Sequence, residues 1–138
     1  MNNDYNVESN SAWRNIGAVP FVTVVTPVYN RKDTILRAMQ SVERQSYKDM
    51  EYIVVNDGST DSTEEIIIDF LHKTTVPMLY VKKDNGGVHT ARNLGIKLAR
   101  GEMYMCNDSD DESFPNAVEI CAGTSKEKKK LYSARFNV

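Results

Sequence analysis

Apolar positions along the 138-residue chain fall into two alternating kinds of run. The run "FVTVVTPV" (Phe21 to Val28) is β-branched and continuously apolar, as expected of a strand buried on both faces. Beyond it Asp33 offers a helix cap, and Ile35, Leu36, Met39 and Val42 recur at helical spacing. "EYIVVND" (Glu51 to Asp57) repeats the strand pattern, "GST" breaks it, and "DSTEEIIIDFLHK" restarts a helix with a capping-box pair, Ser62 and Glu65. "VPMLYVKK" predicts a third strand. "NGG" then opens a helix whose Ala91, Leu94 and Leu98 share one stripe, with Gly101 as its stop, and "EMYMCN" predicts a fourth, buried strand.

Strands alternating with helices of this length predict βαβ units, so the fold class is α/β with a mostly parallel sheet flanked by helices. Residues 1–19 carry little apolar pattern and read as a loosely ordered polar arm. Residues 20–122 form the domain, and 123–138, with "KEKKK", read as a basic tail. In parallel sheets ligands bind beyond the carboxyl ends of the strands. The segments expected there are "TPVYNRKD", "NDGSTD", "KKDNGG" and "NDSDDES", each rich in Gly, Asn or Asp.

Composition narrows the function. Apolar residues make up 41% and charged residues 26%, which is ordinary for one globular domain. A formal charge of −2 excludes a polyanion-binding surface, so nucleic acid is not an expected partner. Cys106 and Cys121 have no metal-ligand spacing and read as reduced thiols, which points to the cytoplasm. The N-terminus lacks the basic and apolar regions of a signal peptide, and no apolar run approaches the roughly 20 residues of a transmembrane segment. Any membrane contact would then be peripheral, at the inner face, or through a partner.

Asp108, Asp110, Asp111 and Glu112 crowd like charge into one loop. Such a cluster is either a solvated acidic loop or a set of hard oxygen ligands for Mg²⁺ or Mn²⁺, completed by phosphate oxygens. A calcium loop of the EF-hand kind fails, because Ser113 stands where glycine is required and Pro115 follows. Gly86 and Gly87 at a helix start are either a turn or an anion cradle for a diphosphate. Arg92 and Asn93 either lie on the helix surface or, for Arg92, steady phosphate charge. Asp57 is either an Asx-turn residue or an acceptor for the N3–H of a uracil ring, on which Tyr29 would pack. His72 reads as structural and His89 carries no assigned role. No GxGxxG and no GxxxxGK[ST] is present, which argues against dinucleotide and P-loop sites.

Taken together, "VTVVTPVYNRKDTILRAMQSV", "YIVVNDGSTDST" and "NGGVHTARNLGIKLARGEMYMCNDSDD", in that order over residues 21 to 120, resemble the nucleotide-sugar-binding part of a family 2 glycosyltransferase of the GT-A (Rossmann-like) fold. The resemblance implies that Pro27, Val28, Tyr29 and Asn30 line the nucleoside and that Asp57 pairs with the base. It implies that Gly86, Gly87, Arg92 and Asn93 border the donor. It implies further that Asp108, Ser109 and Asp110 form a DXD motif holding Mn²⁺ or Mg²⁺ on the diphosphate, with Asp111 a second candidate ligand. The activity so implied is transfer from a UDP-sugar to a glycan or lipid-linked acceptor in polysaccharide biosynthesis, with inversion at the anomeric carbon. Members of the family typically continue beyond the DXD segment into a half that carries the acceptor site and the base, so the fold is expected to be truncated there, with no catalytic base assigned in this chain. The open sheet edge that results favours a homo-oligomer. The alternative reading is a non-catalytic nucleotide-binding or assembly module. A phospho-receiver domain would need an isolated Asp after a middle strand and a late Lys, and neither is visible.

Overall fold

A computed structural model describes residues 4–136, with side chains described to Lys126. Five strands form one sheet in the order β1-β4-β3-β2-β5: β1 Tyr5–Ser9, β2 Val22–Val28, β3 Met50–Asp57, β4 Met78–Lys83 and β5 Met103–Cys106. β2, β3, β4 and β5 run parallel, and β1 alone is antiparallel, on the outer edge of β4. Five helices connect or flank them: α1 Ser11–Arg14, α2 Ile35–Glu43, α3 Thr63–Lys73, α4 Val88–Leu98 and α5 Ala117–Phe136.

The continuously apolar runs became the centre of the sheet, because β2 and β3 are buried at every position. A strand covered on both faces has no solvent side to encode. One face packs Val24, Tyr52, Val54 and Tyr80 against α2, α3 and α5 through Ile35, Met39, Ile67, Leu71 and Val118. The other packs Val25, Ile53, Val55, Leu79 and Val81 against α4 through Ala91 and Leu94. Close approach there requires a residue with no side chain: a Cβ on Gly95 would lie 2.4 Å from Val25 Cγ1.

Several local expectations are corrected. The segment expected as a loose arm carries β1 and α1. β1 pairs Tyr5–Ser9 with Leu79–Lys83 through backbone bonds that its polar sequence does not announce. Asn10 anchors the junction, its Oδ1 accepting from Trp13 N (3.0 Å) and Met78 N (3.1 Å) and its Nδ2 donating to Val76 O (2.8 Å). The expected tail is helical in backbone to Phe136, and its start is seated by buried Val118, Ala122 and Ser125. Residues 137–138 lie outside the described chain.

Asp33 is not the cap of α2. Thr34 holds that place and spends its hydroxyl on Ser109 O (3.0 Å). Ser62 stands at the cap of α3 without a capping side-chain bond, and Asp61 Oδ1 receives Thr63 N instead (2.9 Å). α4 stops at Leu98, ahead of Gly101, whose absent side chain lets it fit against Thr23 and Phe21. The last strand, expected to be buried, is an edge strand with Tyr104 and Cys106 exposed, because α4 covers β2 and β3 but not β5. Both cysteines are free thiols, as expected. Among the described residues no helix is long and apolar enough to cross a membrane.

Candidate functional site

The carboxyl ends of β2, β3 and β4 and the loop after β5 meet at one rim. Their side chains line two neighbouring clefts that share Arg31. The first, about 270 Å³, is walled by Pro27, Val28, Tyr29, Asn85, Gly87, Val88 and Ser109, with Asp57 on its floor. The second, about 390 Å³, is lined by Asn30, Lys32, Asp33, Thr34, Asp61 and Asp110.

Two loops are locked together to shape the first cleft. Asn30 adopts φ 49°, a left-handed conformation that Asn tolerates. There its Oδ1 accepts from Thr60 N (2.8 Å) and its N–H donates to Ser59 Oγ (2.9 Å). Asn30 therefore lines the second cleft and clasps the loop after β3. Asn56 Oδ1 accepts from Ser59 N (3.1 Å), and Gly58 at φ +74° turns the chain so tightly that a Cβ would lie 2.7 Å from Asn85 N. In the second cleft, partial desolvation of Asp61 is outweighed by bonds from Thr63 and by Lys32, and its carboxyl is held below its ordinary 3.8.

Asp57 is bonded through both carboxylate oxygens, and its side chain is 3% exposed. Oδ1 accepts from Lys83 Nζ (2.8 Å) and Gly86 N (2.9 Å), and Oδ2 accepts from Gly87 N (2.9 Å). The two glycines thus turn their amides onto a protein carboxylate. The bond from a backbone N–H two residues on that defines an Asx turn is made by Asp61, to Thr63 N, and not by Asp57. Lys83 was overlooked in the sequence because its partner is 26 residues away; the only signal was a lysine at the end of an apolar strand.

The acidic loop is anchored by its backbone and presents its acids outward. Asn107 N donates to Val25 O (2.9 Å), Thr26 Oγ1 donates to Asn107 O (2.6 Å), and Asp111 N closes a turn onto Asp108 O (3.1 Å). Ser109 is buried at 7% exposure, while Asp108, Asp110, Asp111 and Glu112 are exposed. Arg92, one turn into α4, reaches Asp108 at 3.8 Å; Asn93 is exposed on the same helix. Among the described residues no three His, Cys, Asp or Glu side chains converge closely enough to enclose a metal ion. Of the acids expected to hold an ion, Asp110 lines the second cleft, Asp108 faces Arg92, and Asp111 is exposed and lines neither of the two clefts.

The chain matches the model of the family described as "Glycosyl transferase family 2" over residues 23–136. It belongs to that family. It is 36% identical over 126 residues to the hyaluronan synthase of Pasteurella multocida, covering 89% of this chain and 13% of that protein. It is 41% identical over 100 residues to a glycosyltransferase of Rickettsia typhi, covering 72% of this chain and 30% of the relative. Among solved structures, S. aureus TarS residues 1–349 in complex with UDP superposes with a TM-score of 0.70 at 27% identity, over 77% of this chain and 32% of that 1–349 chain. A mannosyltransferase of Pyrobaculum calidifontis in complex with GDP-Man and Mn²⁺ gives 0.61 at 27% identity, over 68% and 28% of the two chains. The fold of this family 2 glycosyltransferase is therefore GT-A, and the chain spans under a third of the length of these relatives.

Proposed function

We propose that this glycosyltransferase chain binds the donor, a UDP-sugar held with Mn²⁺ or Mg²⁺, for transfer to a glycan or lipid-linked acceptor in polysaccharide synthesis. The observation that carries the reading is the first cleft: an apolar wall with an exposed tyrosine, a buried carboxylate on the floor, and the acidic loop at the mouth. Tyr29, 43% exposed, offers a ring face to a base, and Asp57 offers a carboxylate oxygen to a ring N–H. The structures of TarS with UDP and of the mannosyltransferase with GDP-Man and Mn²⁺ support a nucleoside diphosphate with a divalent ion.

The residues divide the work. Pro27, Val28 and Tyr29 exclude water from the base, and Asp57 orients it. Arg92 faces the Asp108 carboxylate at 3.8 Å and in this reading shares the charge of the departing diphosphate. Asp110, with Asp108, would hold the ion, and a bound ion supplies electrostatic stabilisation of the charge that builds on the leaving diphosphate. Neither Glu112 nor Glu119 serves as acceptor base in this reading. Glu119 Oε1 already accepts from Ser46 Oγ (2.8 Å) behind the loop. Inversion at the anomeric carbon follows the family's commonest course.

Calorimetric titration of UDP with Mn²⁺, with EDTA, and into Asp110→Ala tests the reading. Binding that needs both the ion and Asp110 is expected. Binding indifferent to both would refute the metal assignment, and no binding would refute the donor site. Donor binding without sugar transfer would favour the non-catalytic module.

A further inference from the structure

The Lys83 side chain is only 14% exposed, and its ammonium is paired with Asp57, a residue that lines the first cleft. An ammonium has three N–H donors. Here Nζ meets three acceptors: Asp57 Oδ1 (2.8 Å), Asp84 O (2.7 Å) and Thr90 Oγ1 (2.9 Å). Thr90 Oγ1 in turn donates to Gly87 O (2.7 Å), and Gly87 N donates back to Asp57 Oδ2 (2.9 Å). The bonds close a ring through the end of β4, the 84–87 loop and the first turn of α4. Gly86 leaves room for it, since a Cβ there would stand 3.0 Å from both Lys83 Nζ and Thr90 Oγ1.

This ring decides what Asp57 can still bind. An ionised carboxylate has about four acceptor positions. Lys83 and Gly86 fill both positions on Oδ1, and Gly87 fills one on Oδ2, leaving a single acceptor for a ligand. Uracil presents one ring N–H between two carbonyls and matches a single acceptor. Guanine presents two adjacent donors, N1–H and the 2-amino group, and needs two. Cytosine has an unprotonated N3 where uracil has its N3–H, so it meets the same acceptor only by shifting its 4-amino group into that place.

Building on the donor-site reading above, we propose that Lys83 is a positioning residue that sets base selectivity: by occupying Oδ1 it makes Asp57 a one-acceptor reader that prefers uracil to guanine and cytosine. Without Lys83, Oδ1 keeps the Gly86 bond but regains one acceptor position, and a two-donor edge is accommodated.

The test compares UDP, GDP and CDP binding by calorimetry with Mn²⁺ in the wild type, Lys83→Met and Lys83→Arg, with folding checked by circular dichroism. The wild type is expected to favour UDP over GDP by about tenfold or more, the scale of one charge-assisted hydrogen bond. Lys83→Met is expected to bring the two within about threefold, and Lys83→Arg, which keeps a cation against Oδ1, to restore most of the preference. A merely structural role would weaken all three nucleotides in proportion, and that result overturns the proposal. So does a wild type with no preference for UDP. If Lys83→Met does not fold, Lys83→Ala, which also vacates Oδ1 but leaves the space open to water, takes its place, and a UDP-to-GDP ratio unchanged in that variant overturns the proposal. A wild type that binds none of the three nucleotides refutes the donor site itself, which is a different failure.

Discussion

Replacing Gly95 by alanine sets helix propensity against packing in opposite directions. Gly95 lies in the middle of α4, where alanine stabilises an ordinary helix by about 1 kcal/mol relative to glycine. The structure reverses that sign. The new Cβ would lie 2.4 Å from Val25 Cγ1 and 3.2 Å from Val55 Cγ2, far inside the roughly 3.5 Å at which carbon contacts become favourable. Neither valine can retreat, for both are fully buried and Val25 is held in register by β3 on one side and β5 on the other. α4 must lift by about 1 Å instead, and overpacking of this kind costs about 1–3 kcal/mol. An overlap this deep against fixed neighbours belongs in the upper half of that range, about 2–3 kcal/mol, so after the propensity gain the net loss is about 1–2 kcal/mol, or a Tm lower by roughly 3–7 °C for a chain of this length. Thermal and urea unfolding followed by circular dichroism read it directly. Because α4 carries Gly87, Thr90 and Arg92 at the site, UDP affinity should fall in the same variant. Val25→Ala removes the opposing methyls at a cost of about 2 kcal/mol alone. Combined with Gly95→Ala it should cost at least about 1 kcal/mol less than the sum of the two, the coupling expected of residues in contact. A Tm that is unchanged or raised in Gly95→Ala, or strictly additive losses in the double variant, would refute the packing argument.

Other substitutions probe other parts of the frame. Glu51 is fully buried, where it accepts from Thr23 Oγ1 (2.7 Å), Arg100 N (2.8 Å) and Arg100 Nε (2.7 Å). Glu51→Leu should destabilise by about 3–5 kcal/mol in a urea titration, because it strands those donors. Tyr80→Phe removes the hydroxyl that accepts from Asn56 Nδ2 (2.9 Å) and donates to Glu64 (2.8 Å), at a cost of about 1–2 kcal/mol measured in the same way. That hydroxyl, and after it Lys82, holds the Glu64 carboxyl below its ordinary 4.5 against a partial desolvation that would raise it. A depressed acid stabilises the fold above its unfolded value and loses that contribution as pH falls past 4.5 toward the folded value. Stability measured from pH 7 down to pH 3 should therefore fall less steeply in Tyr80→Phe than in the wild type. Gly58→Ala meets both a φ of +74° and a Cβ 2.7 Å from Asn85 N, so it should abolish UDP binding in calorimetry by displacing Asn85 from the cleft wall.

The chain's own pattern determined the central sheet, the helices that cover it and the rim where the polar segments collect. β2 and β3 are legible because burial on both faces demands an unbroken apolar run, and α2 and α3 because one-sided burial demands a helical period. The same logic explains what stayed hidden. β1 is held by backbone hydrogen bonds at an edge, which any side chains can make, so "YNVES" carries no signal. β5 has the apolar composition of a buried strand but finds no helix over one face. At the site, the sequence named Asp57, Gly86 and Gly87 separately. Only the parallel pairing of β3 with β4, which sets Asp57 against Lys83 in register, turned them into one bonded ring. Periodicity records whether a residue is buried. Which charge meets which across the sheet is decided by register and crossover, where residues far apart in the chain become neighbours.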